Sequence, residues 1–157
     1  MNYPSLSRKA QAGVGLIEVL VAVLVLSIGF VGIAAMQARS LSTNNSALAR
    51  SMATVASYSI LDAMRADISG AEAGNYNHTV TANSCGSAGA ALDSEQLYAW
   101  CSQLASTLGA SASTTGKVDC SAVTDSTALC TVTIQFDDSR AGEGGGTAQQ
   151  VVTKAML

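Results

Sequence analysis

From residue 14 to residue 36 the chain is apolar except for one acid, Glu18. About 23 residues at 1.5 Å rise make a helix of roughly 35 Å, enough to cross the hydrocarbon core of a bilayer. Beyond residue 36 the pattern changes but does not stop. Leu48, Met52, Val55, Leu61, Met64 and Ile68 recur at helical spacing, with Asn44, Asn45, Arg50, Ser57, Asp62 and Arg65 on the other faces. No proline follows Pro4, and Ser69 with Gly70 supplies a stop, glycine being suited to a left-handed cap. The pattern therefore predicts one helix from Val14 to Ser69, roughly 84 Å long, apolar in its first half and amphipathic in its second. Gly29 and Gly32 lie inside it. They read either as weak points, costing about 0.5–1 kcal/mol against alanine, or as places where a neighbouring helix comes close.

Residues 71–92 are rich in Gly, Ala, Ser and Asn and read as an irregular connection with a short strand at residues 78–81. Asp93, Ser94, Glu95 and Gln96 have the form of a capping box with Asp93 as the cap. Leu97, Trp100, Cys101, Leu104 and Leu108 follow at helical spacing, and Gly109 closes the segment. Trp100 reads as the core anchor of that short helix. A strand is expected over residues 117–123 and a stronger one over 129–136, where Cys130, Val132, Ile134 and Phe136 alternate with Thr131, Thr133 and Gln135. Residues 137–146 read as a long flexible turn and residues 149–156 as a final β-rich segment. The expected class is α+β, a long N-terminal helix packed on a small antiparallel sheet.

Charge orients this plan. Arg8 and Lys9 precede the apolar run, which by the positive-inside rule puts the N-terminus in the cytoplasm and the rest in the periplasm; Arg39, just past the run, pulls weakly the other way. The net charge is −3, and beyond the long helix only Lys117, Arg140 and Lys154 are basic, so a nucleic-acid partner is not expected. The four cysteines, Cys85, Cys101, Cys120 and Cys130, all fall in the exported part, where an even count reads as disulfides with three connectivities. Pairing Cys120 with Cys130 would staple neighbouring strands, and pairing Cys85 with Cys101 would tie a loop to a helix. These are favoured, and the sequence leaves the alternatives open. A zinc site is disfavoured by the absence of a CxxC pair and by a single histidine, His78. With no nucleophile–base set and no phosphate loop, neither a cofactor nor catalysis is expected. Asp137, Asp138 and Glu143 match no calcium cage, and a solvated turn is the favoured reading of them.

Glu18 is the informative residue. A carboxylate within a membrane helix costs about 2.5–3.5 kcal/mol near the centre and less toward an end, so it usually has a partner. A secretory signal would carry about 7–15 apolar residues before a small-residue cleavage site. The run here is longer, contains Glu18, and ends in Ala34, Ala35, Met36, Gln37 and Ala38, which only loosely suggests such a site. A plain single-pass anchor leaves Glu18 without a role.

The stretch from Gly13 through Val14, Gly15, Leu16 and Ile17 to Glu18 resembles the processing motif of type IV prepilins: a glycine, an apolar residue, and a glutamate five places after the cut. Most members carry Phe where Val14 stands. The resemblance implies cleavage between Gly13 and Val14 by a prepilin peptidase and methylation of Val14 as the new terminus. It also implies a type IV pilin fold. The chain then divides into a leader (residues 1–13), a transmembrane and filament-core half-helix (14–36), an amphipathic half-helix (37–69) and a periplasmic head (70–157). Losing Arg8 and Lys9 with the leader takes the charge from −3 to −5. Glu18, one turn beyond Val14, is placed to pair with the amino terminus of a neighbouring subunit, neutralising two charges in hydrocarbon and setting axial register. By resemblance the chain is a minor pilin, held in the inner membrane and then carried into the pilus, with other minor pilins, the major pilin and a tip adhesin as partners. A minor pseudopilin of type II secretion is the alternative.

Overall fold

The computed structural model describes Gly13, residues 15–124 and residues 127–157. In chain order its elements are α1 (Leu16–Ala66), α2 (Ile68–Glu72), β1 (Thr79–Thr81), α3 (Leu92–Leu108), β2 (Thr115–Thr124), β3 (Thr127–Phe136), a 3-10 turn (Ser139–Gly144) and β4 (Gln149–Met156). The chain divides into two units with the boundary between Ala38 and Arg39, and α1 contributes to both.

In the first unit every described residue of α1 is exposed, including Leu16, Leu20, Leu24, Ile28 and Phe30. Nothing within the described chain covers this apolar surface. Gly29 and Gly32 sit in continuous helix with nothing within 4 Å of where a Cβ would lie. Ser27 returns its hydroxyl to the Val23 carbonyl at 2.7 Å, so the run keeps its one hydroxyl satisfied along the helix itself.

The second unit is α+β, with the later part of α1 and all of α3 packed on a four-stranded antiparallel sheet of order β1-β2-β3-β4. It is the arrangement of the type IV pilin fold. Strand β3 is internal, and Ala128, Cys130, Val132, Ile134 and Phe136 bury every second side chain while Thr131, Thr133 and Gln135 face the other way. Ala53, Ala56, Ile60, Leu61 and Met64 of α1 and Leu97, Trp100 and Leu104 of α3 complete the core. The Trp100 indole N–H donates to the Ala56 carbonyl at 2.9 Å, tying the two helices together.

Four local expectations are corrected. The first concerns which face of α1 meets the head. Leu48 and Val55 stand 54% and 57% exposed, and Met52 is also exposed, whereas the buried stripe is Ser46, Ala53, Ala56, Ser57, Ile60, Leu61 and Met64. Ser57 on this stripe remains satisfied because its hydroxyl donates to the Ala53 carbonyl at 3.0 Å.

The second concerns the stop. α1 ends at Ala66 and Asp67 caps a separate short helix, α2, accepting from the Gly70 N–H at 3.3 Å. Gly70 lies within α2; a Cβ there would strike the Asp67 carboxylate, so its glycine is required for space. The left-handed residue is Gly74, at φ 76°. Third, α3 begins one residue before the expected cap. Ala91 is the cap residue without a side-chain bond, and Asp93 and Glu95 sit inside the first turn, where they complement the helix dipole.

Fourth, the turn after β3 is ordered and docked. Asp138 is buried and accepts a hydrogen bond from the Ser46 hydroxyl at 2.5 Å, and the Arg140 carbonyl accepts one from Ser42 at 2.5 Å. Arg50 reaches Asp138 at 3.9 Å and donates to the Gln149 side chain at 3.5 Å. Ser42, Ser46 and Arg50 are spaced four apart, so one helix face meets Asp138, Arg140 and Gln149.

Candidate processing site and the chemistry of the head

The segment resembling a cleavage site is described in part. Val14, Arg8 and Lys9 lie outside the described residues. Gly13 is exposed, its φ is not in the left-handed region, and a Cβ added there would meet nothing within 4 Å. Among the described residues, neither backbone conformation nor packing asks for glycine at that position.

The helix starts just after it. The Gly15 carbonyl accepts from the N–H groups of Glu18 at 2.9 Å and Val19 at 3.3 Å, closing the first turn. Glu18 falls in that turn, where free backbone N–H groups give a partial positive charge that favours a carboxylate. It is exposed, and no cationic side chain among the described residues pairs with it. The helix is the one described element long and apolar enough to cross a membrane, with a mean hydropathy of 2.8 over its most apolar window. The geometry therefore sets a solitary carboxylate on the first turn of an uncovered apolar helix.

The cysteines of the head are joined as Cys85–Cys101, linking the loop after β1 to α3, and Cys120–Cys130, at directly opposed positions of β2 and β3. Among the described residues no group of three or more metal-capable side chains converges. Asp137 and Asp138 turn to different partners: Asp137 accepts from the Ser139 N–H at 2.9 Å, and Asp138 is held by Ser46. The hydrogen bonds from Ser139, backbone first and then side chain, hold Asp137 below its ordinary carboxylate range. His78 is exposed beside a shallow groove lined by Val80, Cys85, Ser94 and Tyr98. Its backbone carbonyl serves the sheet by accepting from the Val118 N–H at 2.9 Å.

One polar cluster was not foreseen. Tyr76 is fully buried, with its phenol 3.0 Å from Asp67 and 2.5 Å from Gln96. Burial, reinforced by the hydrogen bond and negative charge of Asp67, pushes the phenol well above the ordinary tyrosine range. The cluster joins the cap of α2 to α3. It is structural. Asp67 preceding a glycine, as Asp67 precedes Gly70 here, was the available signal for the cap; nothing local signalled Gln96.

Comparison with family models matches the prokaryotic N-terminal methylation motif over residues 8–34. Neither the curated proteins nor the solved structures yield a match to this chain. The matched span contains Gly13, Val14 and Glu18 and the apolar helix that follows them. The chain thus carries a prepilin-type methylation motif at the head of an α+β pilin-like architecture, which supports a structural subunit of the type IV pilin or pseudopilin kind.

Proposed function

We propose that this chain is a minor subunit of a type IV pilus. It is inserted in the inner membrane through residues 14–36 with its N-terminus cytoplasmic, cut between Gly13 and Val14, methylated on Val14 and drawn into a filament. The observation that carries this reading is the methylation-motif match over residues 8–34, a span whose single acid is Glu18 at the start of an apolar helical run. Gly13, which no contact among the described residues requires, is the residue that a processing enzyme reads. Glu18 then receives the methylated ammonium of a neighbouring subunit, because an unpaired charge of either sign is costly in hydrocarbon.

Within the pilins, the run from Leu16 to Gly29 is most like the minor pilin PilV, and the strand and acidic turn over residues 131–138 resemble the same proteins. That likeness supports a role in priming assembly and holding a tip adhesin, with other minor pilins and the major pilin as neighbours. The motif is shared with pseudopilins of type II secretion, so the filament fraction that retains the chain discriminates the two.

Intact mass of the native protein tests the reading. The expected product lacks residues 1–13 and carries one added methyl group, and Gly13→Leu leaves the uncut precursor in the membrane. A mature terminus at or beyond Ala38 would overturn it in favour of an ordinary secretory signal.

A further inference from the structure

The sheet has two edges of different character. β1 is three residues long, and its chain turns back at once through a bridge between Thr81 and Ser84. β4 is eight residues long, in continuous register with β3, and contains no proline. Natural edges are normally blunted by shortness, bulges, proline or charge. β1 meets that expectation and β4 does not, apart from a single lysine.

The ladder tells which backbone groups β4 leaves open. Leu157 and Ala128 exchange both hydrogen bonds, at 2.9 Å and 3.1 Å. Bonded pairs recur at every second residue of an antiparallel ladder, so Ala155, Thr153, Val151 and Gln149 also turn inward to β3. Gln150, Val152, Lys154 and Met156 turn their N–H and C=O groups outward. Among the described residues no backbone group bonds to them. Their side chains are also all exposed, on the sheet face away from the helices. Val152 and Met156 are apolar and more than half exposed, and Leu129 lies directly opposite Met156 on β3. Lys154 stands between them, and among the described residues no carboxylate pairs with it.

We infer that the outer edge of β4 docks an extended segment of a different protein chain, which adds a fifth strand and sets an acidic side chain against Lys154, with apolar ones against Val152 and Met156. The row of open donors and acceptors supplies main-chain bonding, and the alternating side chains supply the choice of partner. A second copy of β4 fits poorly. In antiparallel pairing, outward residues must face outward residues. One register sets Lys154 against Lys154, another sets it against Val152, and a third sets it against Gln150 and carries Met156 past the start of the partner strand to Ala148. Parallel pairing in register again opposes the two lysines. Residues 1–12 contain Arg8, Lys9 and no acid, so the chain's own leader is the wrong sign.

The test uses the full chain in detergent micelles, isotope-labelled, with a seven-residue probe peptide alternating threonine with valine, glutamate and valine. Hydrogen exchange at the amides of Val152, Lys154 and Met156 should be fast in the free protein and slow on adding peptide, while Val151 and Thr153 stay as they were. The same peptide with lysine in place of glutamate should bind about fivefold more weakly, the worth of a cross-strand charge pair. Lys154→Glu should reverse that preference. Val152→Pro, which removes an outward N–H and leaves the β3 ladder intact, should abolish binding while amide protection across β3 is retained. Outward amides already protected in the free chain, with the mass of a dimer, would hand the edge to a second copy and overturn the proposal. Absence of slowing at millimolar peptide, or equal binding of the glutamate and lysine peptides, would overturn it as well.

Discussion

Gly116→Ala sets two effects of opposite sign against each other. Gly116 is buried in β2 and its φ is not in the left-handed region, so any residue can adopt its backbone conformation. Replacing a strand glycine with alanine would by itself stabilise by about 0.5–1 kcal/mol. A Cβ here, however, would lie 2.7 Å from Leu104 Cδ1 and closer still to the Trp100 ring. Neither neighbour has room to retreat: Leu104 is fully buried, Trp100 is 2% exposed, and its indole is held by the Ala56 carbonyl. Overpacking of this kind costs about 1–3 kcal/mol, so the clash wins and the net destabilisation is about 0.5–2 kcal/mol. For a unit of this size that lowers Tm by roughly 2–8 °C. Because Trp100 is the one tryptophan in the sequence, its emission during denaturant unfolding of the full chain in detergent reports directly on this contact. Trp100→Phe should relieve the larger part of the clash, so Gly116→Ala made in that background becomes less destabilising, a coupling of about 1 kcal/mol followed by circular dichroism. A Gly116→Ala protein as stable as the parent, or strictly additive effects in the double variant, would refute the close approach of α3 to β2.

Glu18→Ala removes the carboxylate from the first turn of α1 without touching Gly13, so cleavage should survive while incorporation falls, an unpaired buried ammonium costing about 3–5 kcal/mol; membrane and sheared-filament fractions read it, and a processed variant recovered in fibres at the normal level counts against the pairing. Both disulfides should be complete in the native protein, so alkylation before reduction should label no cysteine, and closing loops of 10 and 16 residues should contribute roughly 3 kcal/mol each. Tyr76 should give the head an alkaline limit. Its phenol is raised in the folded state, so the stabilisation is fully present below the ordinary tyrosine range near pH 10 and is lost as pH rises above it. Urea unfolding between pH 8 and 11 should show that fall in the parent and a shallower one in Tyr76→Phe; parallel pH profiles would refute the assignment.

The elements whose pattern is self-sufficient were legible in the sequence. An unbroken apolar run can only be a span or a buried helix, and strict alternation from Cys130 to Phe136 can only be a half-buried strand, so α1's first half, β3 and the buried face of α3 follow from residue order alone. The methylation motif matched over residues 8–34 was legible for another reason: it is contiguous and does not wait on the rest of the fold to assemble it. Periodicity says that a helix has an apolar face, but it does not say which partner surface that face will meet. Helical spacing pointed to Leu48, Met52, Val55, Leu61, Met64 and Ile68; the core took Leu61 and Met64 of these, with Ala53, Ala56, Ser57 and Ile60 from the neighbouring stripe. The hold of Ser46 on Asp138 spans 92 residues, the bond from Tyr76 to Gln96 spans 20, and Gly116 is a glycine only because Trp100 occupies the space beside it. Contacts of that kind exist only once distant segments have been brought together, and the tertiary structure alone decided them.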